Sequence, residues 1–127
     1  MKQSDWSISE KPYDLRQRLL NFAVMCVRLV QYLHTRGPIA IKLSEQVLTA
    51  SNSAGANYEE ADDGSSARDK LAKRRIVLRE LKETNFRLRV LRRAGYLKEE
   101  HDPVIQESRE LQLIVAKIIR NTPPSSP

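Results

Sequence analysis

The chain has 127 residues and a formal net charge of +6, and it is 40% hydrophobic with only two Phe and one Trp. This length suits one domain, and a core of Leu, Ile, Val and Ala suits packed helices better than a β-sandwich. A single cysteine excludes an intrachain disulfide framework. The sequence has no apolar run long enough to span a membrane and no signal-peptide core, so we expect a cytoplasmic protein without a membrane partner.

The first predicted element is a helix over about residues 13–35, preceded by a flexible segment over residues 1–12. Apolar residues recur along this helix at steps of four and three, which is the pattern of one buried face. These residues are Leu15, Leu19, Phe22, Cys26, Leu29 and Leu33. Cys26 is therefore interpreted as a small core residue.

The second predicted helix begins at Pro38 and continues to about Asp62. It contains the stretch SNSAGANYEEADD, residues 51–63, in which a glycine and several small residues invite comparison with a phosphate-binding loop. Such a loop needs further glycines at set spacing, a Lys-Ser/Thr pair and a preceding strand, and the sequence has none of these. Because Gly55 costs a helix about 1 kcal/mol relative to Ala, we predict that the small residues admit a neighbouring helix backbone.

The third predicted helix begins after Ser65 or Ser66 and ends at Gly95, since these residues suit an N-cap and a C-terminal stop. Its core-facing residues are Leu71, Leu78, Leu81 and Leu88. The fourth helix is predicted to begin with Asp102 as N-cap and Pro103 as first helical residue. Its buried face contains Val104, Ser108, Leu111, Val115 and Ile118.

The four predicted helices are joined by short connections and together occupy residues 13–121. They predict an all-α fold, an antiparallel up-down-up-down four-helix bundle. The remaining residues, 122–127, are predicted to form a disordered tail.

Helix three also has apolar residues away from its core-facing side, at Ala72, Ile76, Phe86 and Val90. One explanation is a wide core face covered by the bundle itself. The other is an interface between subunits, which we favour because three helices cannot easily surround the whole girth of a fourth. The second explanation predicts a homo-oligomer.

Residues 66–94 contain eleven Lys or Arg against three Asp or Glu. The four residues Ala72, Ile76, Phe86 and Val90 form an outer apolar stripe on helix three. Beside this stripe, six of the basic residues form a basic line: Arg68, Arg75, Arg79, Lys82, Arg89 and Arg93. Like charges at this density repel one another unless a counter-charge compensates, and RNA or DNA phosphates would supply it. The alternative is a solvated surface partly neutralised by an acidic cluster of another helix or subunit, formed by Glu59, Glu60, Asp62 and Asp63. We expect no aromatic residue among these arginines, although stacking on nucleic-acid bases would require one.

The sequence contains no constellation of residues that is typical of catalysis or metal binding. His34 and His101 are predicted to lie at the surface or at helix ends rather than to act as ligands. The acidic run in residues 59–63 lacks the ligand spacing of a calcium loop, and no Ser-His-Asp set is apparent. We therefore predict a non-enzymatic protein with no cofactor and no metal.

Three segments, which follow one another in the same order as in the family, resemble a single bacterial family. SAGANYEEA, residues 53–61, is similar to the S-V-G-A-N-Y-x-E-A signature of the bacterial four-helix-bundle proteins, known also as 23S rRNA intervening-sequence proteins. RRIVLRELKET, residues 74–84, resembles that family's K-x-x-I-V-L-K-E-A-x-E stretch, and LRRAGYL, residues 91–97, resembles its closing L-x-x-A-G-L-L. The matching signature positions imply roles in structure and assembly, at Ser53, Gly55, Ala56, Asn57, Tyr58, Glu60 and Ala61.

The resemblance implies a short bundle that assembles into a ring, typically a pentamer. Accessory proteins of diversity-generating retroelements resemble the same bundle and are basic pentamers that bind nucleic acid and a reverse transcriptase. This resemblance and the basic line of helix three together lead to the hypothesis of an oligomer that binds nucleic acid, with RNA as the favoured ligand. The alternative is an accessory subunit that docks on a retroelement reverse transcriptase.

Overall fold

The computed structural model of the chain describes residues 6, 14–63 and 66–123. These residues form four helices: α1 (Leu15–Leu33), α2 (Pro38–Asp62), α3 (Ala67–Arg93) and α4 (Asp102–Asn121). The described part of the chain contains no β-strand, and the prediction of an all-α four-helix bundle is confirmed. Apart from Trp6, the predicted flexible segment 1–12 lies outside the described residues, as does the end of the predicted tail, residues 124–127.

The helices pack in chain order around one core. α1 contacts α2, α2 contacts α3, α3 contacts α4, and α4 returns to α1 along the narrowest of the four seams. Within the described chain no Cα atoms of diagonally placed helices lie within 8 Å of each other. Since consecutive helices are joined by only a few residues, neighbours run antiparallel, and each helix has one side facing away from the bundle.

Residues with special backbone properties set the ends of α2 and α3. Pro38 is the first residue of α2 and follows Gly37, whose φ of 100° suits glycine. At the start of α3 the Ser66 hydroxyl accepts a hydrogen bond from the Asp69 backbone N–H at 3.2 Å, so Ser66 is the N-cap. Gly95, with φ of 91°, ends α3 as predicted.

The predicted start of α4 needs a correction. The helix begins at Asp102 itself, with His101 as the preceding cap residue, so Pro103 lies one position further into the helix than predicted. The reason is a 3-10 turn before α4, in which the His101 ring accepts a hydrogen bond at Nδ1 from the Lys98 backbone N–H at 2.8 Å. The Asp102 carboxylate instead pairs with Arg92 of α3, at 2.8 Å.

The core agrees with the predicted faces of α1 and α4 more closely than with that of α3. Leu71 and Leu78 are only half-buried, although both were expected in the core. The buried residues of α3 follow the 3.6-residue repeat through a slightly different face: Val77, Leu81, Thr84, Asn85, Leu88 and Leu91. The actual core face includes two polar residues, Thr84 and Asn85, which a search for apolar periodicity passes over.

Gly55 lies where α2 crosses α1. A Cβ atom built at this position would be 3.9 Å from the Leu19 carbonyl oxygen, so the backbone of α1 is the neighbour that the small residues predict. However, 3.9 Å is an ordinary van der Waals separation. The crossing therefore has room for a methyl group, and the packing of the chain does not require glycine here.

We expect Gly55→Ala to raise the free energy of unfolding by about 0.5–1 kcal/mol, because Ala restricts the unfolded chain and favours the helix. Urea unfolding followed by circular dichroism measures this difference. A matched control is Ala56→Gly at the next residue, which is exposed and should lower stability by a similar amount. A destabilised Gly55→Ala variant would contradict the packing described here.

Candidate nucleic-acid interface on helix three

All six residues of the basic line lie on the surface of α3. Arg68, Arg75, Arg79, Lys82, Arg89 and Arg93 are each exposed. At 1.5 Å of rise per residue, the line from the first to the last extends about 38 Å. The rigid helix thus presents a row of cations along one side of the bundle.

These cations have few carboxylate neighbours. Arg79 has one at 3.9 Å, the Oε1 atom of Glu80, which is a weak and solvent-screened contact. Among the described residues the other five have no carboxylate within 4.0 Å. Within the described part of the chain, carboxylates therefore leave most of their mutual repulsion uncompensated.

The acidic cluster at the end of α2 pairs with other basic residues. Glu59 accepts hydrogen bonds from the Arg16 guanidinium, with the Nη2 to Oε1 distance at 2.9 Å, and Asp63 lies 3.5 Å from the same group. Glu60 pairs with Lys73 of α3 at 3.3 Å. Within the described chain the cluster therefore joins α2 to α1 and α3, and it leaves the basic line uncovered.

The outer apolar stripe of α3 is only partly covered by the bundle. Ala72 is exposed, and the side chain of Phe86 is 52% exposed, whereas Ile76 and Val90 are half-buried. A wide core face therefore does not account for Ala72 and Phe86. The predicted subunit contact at these four residues involves a second copy and remains a prediction.

The expectation that no aromatic residue lies among the arginines is wrong. The guanidinium carbons of Arg87 and Arg89 are 5.9 Å and 5.8 Å from the centre of the Phe86 ring, within the range of cation–π interactions. The signal was available in the sequence, since Phe86 follows Lys82 by four residues and precedes Arg89 by three.

A buried polar chain that the sequence did not reveal holds one member of the basic line. The Nε atom of Arg89 donates to Asn85 Oδ1 at 2.8 Å, and Asn85 Nδ2 donates to Ser108 Oγ of α4 at 2.9 Å. Ser108 in turn donates to the Ile105 carbonyl at 2.6 Å. Asn85 and Ser108 are both buried. Arg89 is thus restrained by a chain of hydrogen bonds that runs from α3 to α4, while the residue remains exposed at the surface.

The signature segment of α2 makes structural contacts. Asn57 donates to the carbonyl and the hydroxyl oxygens of Ser53, at 2.9 Å and 3.1 Å, within its own helix. Tyr58 and Ala61 are buried, and burial raises the pKa of the Tyr58 hydroxyl. Ala56 is exposed. Asn57 thus stabilises a turn within α2, and Tyr58 and Ala61 belong to its buried face.

In the described part of the chain, no group of three or more His, Cys, Asp or Glu side chains is placed so that it could hold a metal ion. Burial raises the pKa of Cys26 to about 12, so its thiol is a core group. His34 is exposed, and His101 lies at the start of α4, so the prediction of a surface or helix-end position holds for both, although His101 is buried with 1% of its surface accessible. None of the described helices is long and apolar enough to cross a membrane.

Together these features define an all-α four-helix bundle with one strongly cationic outer surface. The family model described as 23S rRNA-intervening sequence protein matches residues 11–117, and the chain belongs to this family. It is also similar to the crystal structure of a protein of unknown function from the S23 ribosomal protein family of Bacteroides thetaiotaomicron. The two are 29% identical with a TM-score of 0.77, over 85% of this chain and 100% of that one. No curated protein matches the chain.

Proposed function

We propose that this protein is a non-enzymatic bundle that binds nucleic acid, with RNA as the first candidate, through the basic line of α3. The observation that carries the proposal is a row of six exposed cations, five of them without a carboxylate within 4.0 Å among the described residues. The family is named for an intervening sequence of 23S rRNA, which is the reason to test RNA first.

Binding by such a surface is driven mainly by release of counterions. Each Lys or Arg that neutralises a phosphate frees a condensed cation, so affinity falls steeply with salt. Arginine, which makes up five of the six positions, also donates two parallel hydrogen bonds to phosphate oxygens. Because the cations project from one continuous helix, they are positioned before the ligand arrives.

We expect a variant with Arg75, Arg79, Lys82 and Arg89 changed together to Gln to bind RNA about 100-fold more weakly at low salt. Its plot of log affinity against log salt should be shallower by about 3, since each lost phosphate contact contributes roughly 0.7 to 0.9 to the slope. Fluorescence anisotropy with labelled RNA across a salt series measures both quantities.

A matched control removes the same number of positive charges elsewhere: Arg28, Lys42, Lys117 and Arg120, all exposed and away from α3, changed to Gln. This control should retain most of the affinity and the slope if the location of the charge matters. Equal losses in the two variants would show a response to net charge alone. If the wild type shows no salt-dependent binding to any nucleic acid, the proposal fails and an acidic protein surface, such as that of a reverse transcriptase, becomes the ligand to test.

The protein is also proposed to assemble into a homo-oligomeric ring, with a pentamer favoured. The outer apolar stripe of α3 is one candidate contact surface. A second is formed by large exposed apolar residues of α1 and α2, at Leu20, Val24, Val27 and Leu48. A head-to-tail ring needs two different surfaces on each subunit, and these two surfaces support that arrangement. Native mass measurement gives the subunit number, and a monomer at micromolar concentration would remove this part of the proposal.

A further inference from the structure

The outer surface of α3 brings the exposed Phe86 ring into the middle of the basic line. Residues three, four and seven positions apart lie on the same side of a helix. Arg79, Lys82, Arg89 and Arg93 stand at these distances from Phe86 in the sequence. Within the basic line, Lys82 and Arg89 are separated by seven residues, or about 10 Å, and the ring lies in this gap.

The surroundings of the ring combine an aromatic face with positive charge. Phe86 is 52% exposed, and two guanidinium groups lie within 6 Å of its centre. Arg87 is partly neutralised by Glu83 at 3.8 Å. Arg89, in contrast, has no carboxylate within 4.0 Å among the described residues, so its charge is available to an incoming anion.

Arg89 is also held in place before any ligand binds. Its Nε atom donates to the buried Asn85, which is fixed by Ser108 of α4. Because the side chain is already restrained, a ligand that uses its remaining N–H groups loses less conformational entropy than it would with a free arginine. A buried amide and hydroxyl are thus used to orient an exposed cation beside an exposed ring.

An unpaired nucleotide matches this arrangement. A base has a flat π-face that stacks on an aromatic side chain, and its phosphate binds a guanidinium. In a duplex the bases are stacked on one another and their faces are inaccessible, so a protruding phenyl ring has nothing to stack against. Phenylalanine carries no hydrogen-bonding group, and recognition would therefore tolerate different bases.

We propose that Phe86 stacks on an unpaired base while Arg89 binds an adjacent phosphate, so that the α3 surface prefers single-stranded nucleic acid to duplex. This inference rests on the proposed function and adds the ligand class to it. It also assigns Phe86 to the ligand and leaves Ala72, Ile76 and Val90 as the predicted subunit contact.

The test compares the wild type with Phe86→Leu, which keeps an apolar side chain of similar size but has no π-face. Fluorescence anisotropy is measured at one fixed salt concentration with a 20-nucleotide RNA, the DNA of the same sequence, and a 20-base-pair RNA duplex. We expect Phe86→Leu to weaken single-strand binding by about 5- to 100-fold, with little change for the duplex and an unchanged salt slope. Phe86→Tyr keeps the ring and should bind as the wild type does.

The outcomes separate this inference from the proposed function. Weaker binding of Phe86→Leu to both single strands, or to the single-stranded RNA alone, supports stacking. The comparison of the two strands also identifies whether the unpaired base comes from RNA only or from either nucleic acid. If the wild type binds RNA with a steep salt slope but Phe86→Leu binds equally well, stacking is refuted and the proposed function stands. Equal losses on single strands and duplex, or a changed native mass for Phe86→Leu, would also overturn the inference. A wild type that binds none of the three ligands refutes the proposed function itself.

Discussion

Replacing Arg18 by Met is expected to lower the free energy of unfolding by about 3 kcal/mol, as is typical when one partner of a buried ion pair is removed. Arg18 of α1 donates from Nε and Nη2 to the two carboxylate oxygens of Glu107 of α4, both at 2.8 Å. Its Nη2 atom also donates to Glu110 at 3.1 Å. The side chains of Arg18 and Glu107 are only 12% and 3% exposed, so this pair is screened little by solvent.

The position of this ion pair explains the size of the expected effect. The seam between α1 and α4 is the narrowest in the bundle, and the Arg18 guanidinium connects the two helices there. The hydrogen bonding of Arg18 to the Glu107 carboxylate is the largest cause that raises the pKa of Arg18, so the arginine is charged throughout the usual pH range. Without it, the carboxylate of Glu107 remains buried and loses the two hydrogen bonds that Arg18 donates to it.

Two further variants distinguish a buried charge from a lost contact. Arg16→Met, two residues away on the same helix, breaks the more exposed pair with Glu59, whose two side chains are 38% and 42% exposed. Its effect on stability should be a small fraction of that of Arg18→Met. The double variant Arg18→Met with Glu107→Leu should recover most of the lost stability, because the buried carboxylate is removed together with the guanidinium that it pairs with. Urea unfolding at fixed protein concentration compares all four proteins, and a double variant no more stable than Arg18→Met would contradict this explanation.

The helices could be predicted from the sequence because their signals are local. Periodic apolar residues predicted the buried faces of α1 and α4, and residues such as Ser66 and Gly95 marked helix ends. The Arg18–Glu107 pair could not be predicted in this way. Its partners are 89 residues apart, and no local pattern distinguishes them from the many other charged residues of the chain.

The candidate site was predictable in part for the same reason. The basic line depends on helical spacing alone, and its members are exposed as a charged surface should be. The restraint on Arg89 depends instead on Asn85 meeting Ser108 across two helices, which requires the packed bundle. The buried position of His101 likewise depends on a distant contact, since Tyr32 of α1 and Trp6 both pack against its ring.

The His101 ring lies in the 3-10 turn before α4 and packs against Tyr32 of α1 and against Trp6. Its centre is 5.2 Å from the Trp6 ring and 4.7 Å from the Tyr32 ring. Its Nδ1 atom accepts the hydrogen bond from the Lys98 backbone N–H, so the neutral ring carries its proton on Nε2. Burial is the largest cause of a lowered pKa for His101, and the nearby charge of Glu100 opposes it.

Acidification should therefore weaken the bundle through His101. Because the pKa of His101 in the folded protein is below its ordinary value of 6.5, the unfolded chain binds more protons between these two values. The contribution of the neutral ring to stability is thus complete above pH 6.5 and is lost as the pH falls through the folded-state pKa. Protonation also places a hydrogen on Nδ1, which removes the acceptor for the Lys98 N–H.

His101→Ala isolates this contribution. At pH 8 we expect the variant to be less stable by about 3 kcal/mol, because it loses the ring packed against Trp6 and Tyr32 and the acceptor for Lys98. Below pH 6.5 the difference from the wild type should shrink, since only the wild type loses stability through protonation of this residue. His101→Phe is the control, because it keeps an aromatic ring but cannot titrate. Urea unfolding at intervals from pH 8 to pH 5 gives the three curves. A constant difference between wild type and His101→Phe would mean that the protonation of His101 is not linked to folding.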